Sequence, residues 1–175
     1  MHQAVKQDLT WSTKLFIDHV WPTIRKHAKL GELIVMEGRP DQEIATHLDV
    51  RSGIDGIELT LDGGLRGIAS RVQVGHAWRS FTVRTKRDSG AETEYAKRLK
   101  AFTSDSGKLY PHYTVQAYTT ATTVAPNVIG ICKTRDLIQF ITDGFHKTNR
   151  TTNAEFAICF WSEMQIKGFP VQVIE

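Results

Sequence analysis

Residues suited to binding and cutting a phosphodiester gather in one stretch of this chain, HLDVRSGIDGIELTLDGGLRGIASRVQ. It sets Asp49 and Asp55 ahead of an Asp62-Gly63-Gly64 turn, and Arg71 and Gln73 after it. Hydrolysis of a phosphodiester needs a metal ion or cationic group to offset charge on the phosphoryl oxygens, together with an activated water. A hard divalent ion such as Mg2+ takes oxygen ligands, which Asp55, Asp49, Glu58 or a neighbouring backbone carbonyl would supply. Glu32 and Glu37, which precede the turn-rich stretch, are further donors. Asp55 has a competing use beside Gly53 and Gly56, as a turn residue whose carboxylate caps local amides. Arg71 and Gln73 have one too, as an exposed strand face with ordinary cross-strand pairs.

A second set of residues is cationic. The whole chain has a net charge of only +3, yet nine basic residues against three acidic ones lie between Arg66 and Lys100. Arg79, Arg84, Lys86, Arg87 and Lys97 are the candidates for holding a polyanion, since each phosphate neutralised releases counterions. Trp78, Phe81 and Tyr95 are interleaved with them, the mixture suited to gripping phosphates and stacking on bases. For the aromatics, and Phe81 above all, the competing expectation is burial in the core. Glu92 and Glu94 are expected at the head of a helix, favouring its N-terminal dipole and pairing with Lys97 or Arg98.

The elements that must position these groups are legible in outline. LTWSTKLFIDHVWPTIRKHAKL predicts a first helix, with Thr10 or Ser12 as cap and Leu15, Phe16, Val20, Trp21 and Ile24 toward one side. Pro22 predicts a kink or break there. GELIVMEG reads as a strand or as a last helical turn. From Glu43 to Val74 the chain turns to β: EIATHLDV, then GIDGIELTL and LRGIASRVQV, the last two joined as a hairpin. A three-residue Asp62-Gly63-Gly64 loop pairs Leu61 with Leu65 and, on the same count, Asp55 with Arg71. A two-residue loop sets Asp55 opposite Ser70 or Val72 instead, because a slip of one position turns every side chain to the other face.

WRSFTVRTKR predicts a third strand, and AETEYAKRLKAFTSDSG a helix with acidic residues first and basic residues last. HYTVQAYTT and NVIGICK predict strands. TRDLIQFITDG follows as a short helix capped by Thr134 and closed by Gly144, then AEFAICFW as a last strand before a polar tail. With 175 residues, 41% of them hydrophobic, the chain suits one domain spanning 1–175. The class expected is α/β (α+β): a central mixed sheet containing the hairpin, flanked by helices.

Other chemistries find little footing. No apolar run approaches the roughly 20 residues of a membrane span, so a soluble, cytoplasmic protein with no membrane partner is expected. Cys132 and Cys159 lie in the apolar runs VIGICK and FAICFW and read as buried thiols. The seven histidines show no HxH or HExxH spacing, and the chain has no Gly-rich phosphate loop and no GxSxG elbow.

The GID of residues 53–55, followed by a hairpin and the polar strand IASRVQ, resembles the PD-(D/E)xK nuclease-like superfamily. The order of elements over roughly residues 10 to 141 is similar to that family's core of a helix, a hairpin carrying the active site, a helix and further strands. The resemblance implies a restriction-endonuclease-like fold, and Asp55 as the aspartate that binds a divalent metal. IASRVQ stands where an acidic-x-lysine motif would be, with Arg71 in the acidic position and Gln73 in the lysine position. One metal ligand and the usual lysine are therefore replaced. The implied function is Mg2+-dependent hydrolysis of DNA, with Asp55, Arg71 and Gln73 as catalytic residues and Asp49 and Asp55 on the metal. The alternatives are a non-catalytic nucleic-acid-binding module of the same fold, or an assembly protein whose basic face meets an acidic protein; a homodimer is compatible with each.

Overall fold

In a computed structural model, residues 11–35, 54–103 and 110–175 are described. The chain opens with a helical segment, α1, over residues 11–28. Strands β1 (Glu32–Val35), β2 (Gly56–Leu59) and β3 (Leu65–Val74) follow, then β4 (Ser80–Arg87) and helix α2 (Glu94–Thr103). Next come β5 (Pro111–Thr119), β6 (Val128–Lys133), helix α3 (Thr134–Thr142), β7 (Lys147–Arg150), β8 (Ala154–Phe160), helix α4 (Trp161–Ile166) and β9 (Gln172–Ile174). The architecture is mixed α/β, as expected. The strands divide between two sheets, one of six in the order β1-β2-β3-β5-β6-β9 and one of three in the order β4-β8-β7.

The large sheet is mixed: β3 and β5 run parallel, and its other neighbours are antiparallel. A parallel pair needs a crossover, and the chain between β3 and β5 supplies β4 and α2. WRSFTVRTKR is a strand, as read from its alternation, but it leaves the sheet of the hairpin and pairs with β8.

α1 buries Leu15, Phe16, Val20, Trp21 and Ile24 against Ile68, Val72, Val115, Ile129 and Ile131 of the large sheet. Pro22 neither breaks nor ends it. A π-helical turn, Phe16–Val20, precedes the proline, and the Trp21 N–H bonds the carbonyl of Phe16. Pro22 then falls in the first turn of the α-helix Trp21–Ala28, a position that tolerates proline. A second core joins the small sheet to α3 and α4 through Phe81, Val83, Leu137, Phe140, Cys159, Trp161 and Met164.

Two expectations are corrected, and one strand is added. The tail after Phe160 is ordered: Trp161 and Met164 of α4 and Val171 and Ile174 near β9 are buried, so scattered apolar residues anchor a segment that reads as polar. β7, with the sequence KTNR, has no apolar residue to betray a strand and forms by pairing with β8. Thr134 does not cap α3; Lys133 holds the cap position, and the Thr134 hydroxyl bonds Thr114 Oγ1 at 2.9 Å. EIATHLDV and Asp49 lie outside the described residues, as do Glu37 and Thr10.

Candidate functional site: a guanidinium-lined cleft

The hairpin fixes the first wall of the site. Its loop has three residues, but they are Leu61, Asp62 and Gly63: Thr60 N–H bonds the Gly64 carbonyl at 2.8 Å, and Gly63 N–H bonds that of Thr60 at 3.0 Å. Gly63 takes φ +83°, the left-handed conformation that closes such a loop at no steric cost. Thr60 Oγ1 also bonds the Asp62 carboxylate, which holds the turn. The loop sits one position earlier than expected, so every cross-strand pair moves by two residues: Leu59 faces Leu65, and Gly56 faces Ile68. Asp55 therefore lies across from the Ile68–Ser70 stretch and not from Arg71. Its N–H bonds the Ile68 carbonyl at 2.9 Å, and its Oδ2 accepts the Ser70 N–H at 2.5 Å. A shift of two preserves facing, which is why Asp55 and Arg71 still open onto one cleft.

That cleft, of about 570 Å3, lies between β3, β4 and α2. Asp55, Arg71, Arg84, Arg87 and Lys97 all line it. One further lining residue, Arg98, was expected only as a helix partner of Glu92 or Glu94; its charge is buried at 6% exposure. Glu94 also lines it. Instead of serving the helix dipole alone, Glu94 reaches across to β3, with Oε1 3.2 Å from the Arg71 guanidinium and Oε2 3.5 Å from the Arg84 N–H. Glu92 pairs with Lys100 at 2.7 Å. The signal for Arg98 was available: it is four residues past Glu94, hence on the same helix face.

Three residues fall elsewhere. Arg79 has φ 50° and pairs with Glu175, away from this cleft. Lys86 is exposed, next to the irregularity between Arg84 and Lys86 in the β4–β8 ladder. Gln73 lines a neighbouring hollow, its Oε1 accepting from Gln116 Nε2 at 3.4 Å. Phe81 is fully buried, as its core reading required, whereas Trp78 is 57% exposed. Tyr95 packs against the second core, and its hydroxyl is 3.0 Å from that of Thr142.

The electrostatics are lopsided. Five cationic side chains face two carboxylates in the cleft. Burial works against the charge on Glu94, yet the guanidinium groups of Arg71, Arg98 and Arg84 outweigh it and lower its pKa below the ordinary glutamate value. Burial likewise lowers the Arg84 and Arg98 pKa values, opposed by Glu94; a guanidinium stays protonated all the same. Most telling, the Nε atoms of Arg84, Arg87 and Arg98 are buried and have no hydrogen-bond partner among the described residues. A buried charged donor left unmet is costly, so the charge of this wall rests on the five cationic side chains together and not on these inner Nε atoms.

The donors for a hard cation are less well set. Among the described residues no three acidic, histidine or cysteine side chains come together to hold a metal. Both oxygens of Glu94 are engaged by Arg71 and Arg84. Glu58 is buried and spends Oε1 on the Gly31 N–H, 2.7 Å away, while Arg66 approaches Oε2 at 3.8 Å. Glu32 faces Arg25 at 3.4 Å. Asp55 is the second acidic residue on the cleft wall; its Oδ2 accepts the Ser70 N–H, and its charge acts on the buried Arg98 guanidinium.

No family model, curated protein or solved structure matches this chain.

Proposed function

We propose that the cleft binds the phosphodiester backbone of a nucleic acid, DNA in the first place, within a nuclease-like domain. The observation that carries this is the gathering of five cationic side chains, Arg71, Arg84, Arg87, Lys97 and Arg98, against two carboxylates on one concave surface. Phosphate oxygens match them: they are anionic, accept several bonds at once and suit the guanidinium fork. The nuclease-like part is supported by the succession of α1, the β2–β3 hairpin, α2, and then β5 alongside β3.

The test is equilibrium binding of a labelled DNA across a salt series. The slope of log affinity against log salt should fall by about one unit for each of Arg84→Ala and Arg87→Ala. Absence of binding at about 50 mM salt overturns the reading.

Metal-dependent cleavage is the second reading, favoured by the position of Asp55 at the head of β2 on the cleft wall. Under the observed register Ala69 stands across from Asp55, and Arg71 follows two residues later on the same side of β3. Asp55 would then hold Mg2+ together with groups such as Asp49, and the metal would supply charge neutralisation. Arg71 would steady the phosphoryl oxygens. Mg2+-dependent nicking that Asp55→Asn abolishes, with binding retained, is the expected result; no nicking by the wild type sinks this reading alone.

A further inference from the structure

The small sheet has two unlike faces. One carries Phe81, Val83, Ala157 and Cys159 and is fully buried in the second core. The other carries Phe156, Ile158 and Phe160, which are only partly covered. The pairing of Thr82 and Lys147 with Ile158, and of Asn149 with Phe156, places these polar groups on that same open face. Side chains alternate along a strand, so this is one continuous surface.

This face forms a wall of a second hollow of about 540 Å3, with Arg71 and Gln73 of β3 also lining it. Trp78 stands there too, held edge-on by His76 with ring centroids 4.6 Å apart. Cations flank the rings: Lys147 Nζ lies 4.9 Å from the Phe160 centroid, and the Arg84 guanidinium 5.2 Å from that of Phe156. Arg71, Val72 and Thr82 line both this hollow and the guanidinium cleft, so the two adjoin.

Resting on the backbone-binding reading above, we propose that the aromatic hollow receives an unpaired nucleobase, so that the cleft's ligand is single-stranded nucleic acid. A base has two π faces for Trp78, Phe156 and Phe160, and an edge of donors and acceptors for the amides of Gln73 and Asn149. A paired base has both faces stacked and its edge occupied, and enters only if extruded at a cost. Adjacency to the cationic cleft favours this occupant over a purely apolar one, because Arg71, shared by both walls, stands between a phosphate held on Arg84 and Arg87 and a base in the hollow.

The experiment measures affinity by fluorescence anisotropy for three probes: an oligothymidylate of about a dozen nucleotides, an abasic oligomer of equal length, and a blunt duplex. The wild type should prefer the oligothymidylate over the abasic chain by about tenfold. Trp78→Ala, at a position 57% exposed, should weaken oligothymidylate binding about tenfold and leave the abasic chain unchanged. Asn149→Ala should narrow the same preference. Arg87→Ala should weaken both chains equally. Equal affinity for base-bearing and abasic chains, or a duplex bound as tightly as the single strand, overturns the nucleobase pocket while backbone binding stands. Failure of all three probes to bind overturns both readings. Dimerisation abolished by Trp78→Ala would assign the face to a second copy and likewise overturn the pocket.

Discussion

Arg71 on β3 and Glu94 at the start of α2 are joined by an ion pair of 3.2 Å, which ties the hairpin strand to the helix that walls the cleft. Replacing Glu94 with glutamine removes a counter-charge that is shared by Arg71, Arg84 and the buried Arg98. Glu94→Gln should cost about 2 kcal/mol at neutral pH, measured by urea denaturation. It should also tighten binding of a nucleic-acid probe, because the cleft becomes more cationic. The pKa of Glu94 is lowered in the folded state, so its stabilisation is complete above the ordinary glutamate value of 4.5 and fades as pH falls through the folded value. The wild-type advantage over Glu94→Gln should therefore be flat near neutrality and shrink below about pH 4.5; an advantage that grows on acidification refutes the account.

Tyr118 bridges the two sheets. It lies on β5 of the large sheet, and its hydroxyl donates to the Ser80 carbonyl of β4 at 2.8 Å while accepting the Ser80 N–H at 3.3 Å. Tyr118→Phe keeps the ring and strands both groups of Ser80 in a buried setting. A loss of about 1–2 kcal/mol is expected in thermal or chemical unfolding. Wild-type stability in this variant would mean that the sheets are held by packing alone.

Gly130 on β6 lies directly beneath Trp161. A Cβ there would come within 2.3 Å of the indole Cζ2, closer than side chains approach. Gly130→Ala must displace a fully packed ring or bend the strand, and should cost about 3 kcal/mol by denaturant titration. Gly63→Ala, at the open hairpin tip with nothing near its Cβ, pays instead for φ +83° and should cost about 1 kcal/mol.

The two thiols should be inert in the folded protein. Burial raises the pKa of both, pushing Cys159 up to about 12 and Cys132 well above the ordinary thiol value. The thiolate is the reacting species, so iodoacetamide at about pH 8 should label neither residue until denaturant is added. Mass spectrometry before and after unfolding gives the answer, and rapid labelling of the native protein would contradict the burial.

The sequence was most readable where periodicity and local chemistry agree. The apolar stripe of α1, the alternation of β3 and β4, and the acidic-to-basic run of α2 all place their elements. The hairpin was legible as a hairpin but not in register. Either Gly63 or Gly64 could take the left-handed position, and only the Thr60 bonds to Gly64 and Asp62 select Gly63. Most of the cationic cleft was visible as a dense basic segment, because β4 and α2 are consecutive in the chain. Two parts were hidden. The departure of β4 into its own sheet depends on β8, some 70 residues later, whose partnership no local pattern encodes. The role of Glu94 depends on Arg71, from which it is separated by an entire strand of the other sheet.

β9 has a further consequence for handling the protein. Its three residues cover the outer backbone of β6 through the pairs Ile129 with Ile174, Gly130 with Val173 and Ile131 with Gln172. Deleting residues 172–175 would uncover a strand of sequence VIGICK, apolar and uncharged until its final lysine, as a free edge. Such an edge recruits the same edge of another molecule. A truncated protein should therefore fail first by self-association at high concentration, before its melting temperature has moved far, which makes the last few residues a solubility device as much as a structural one.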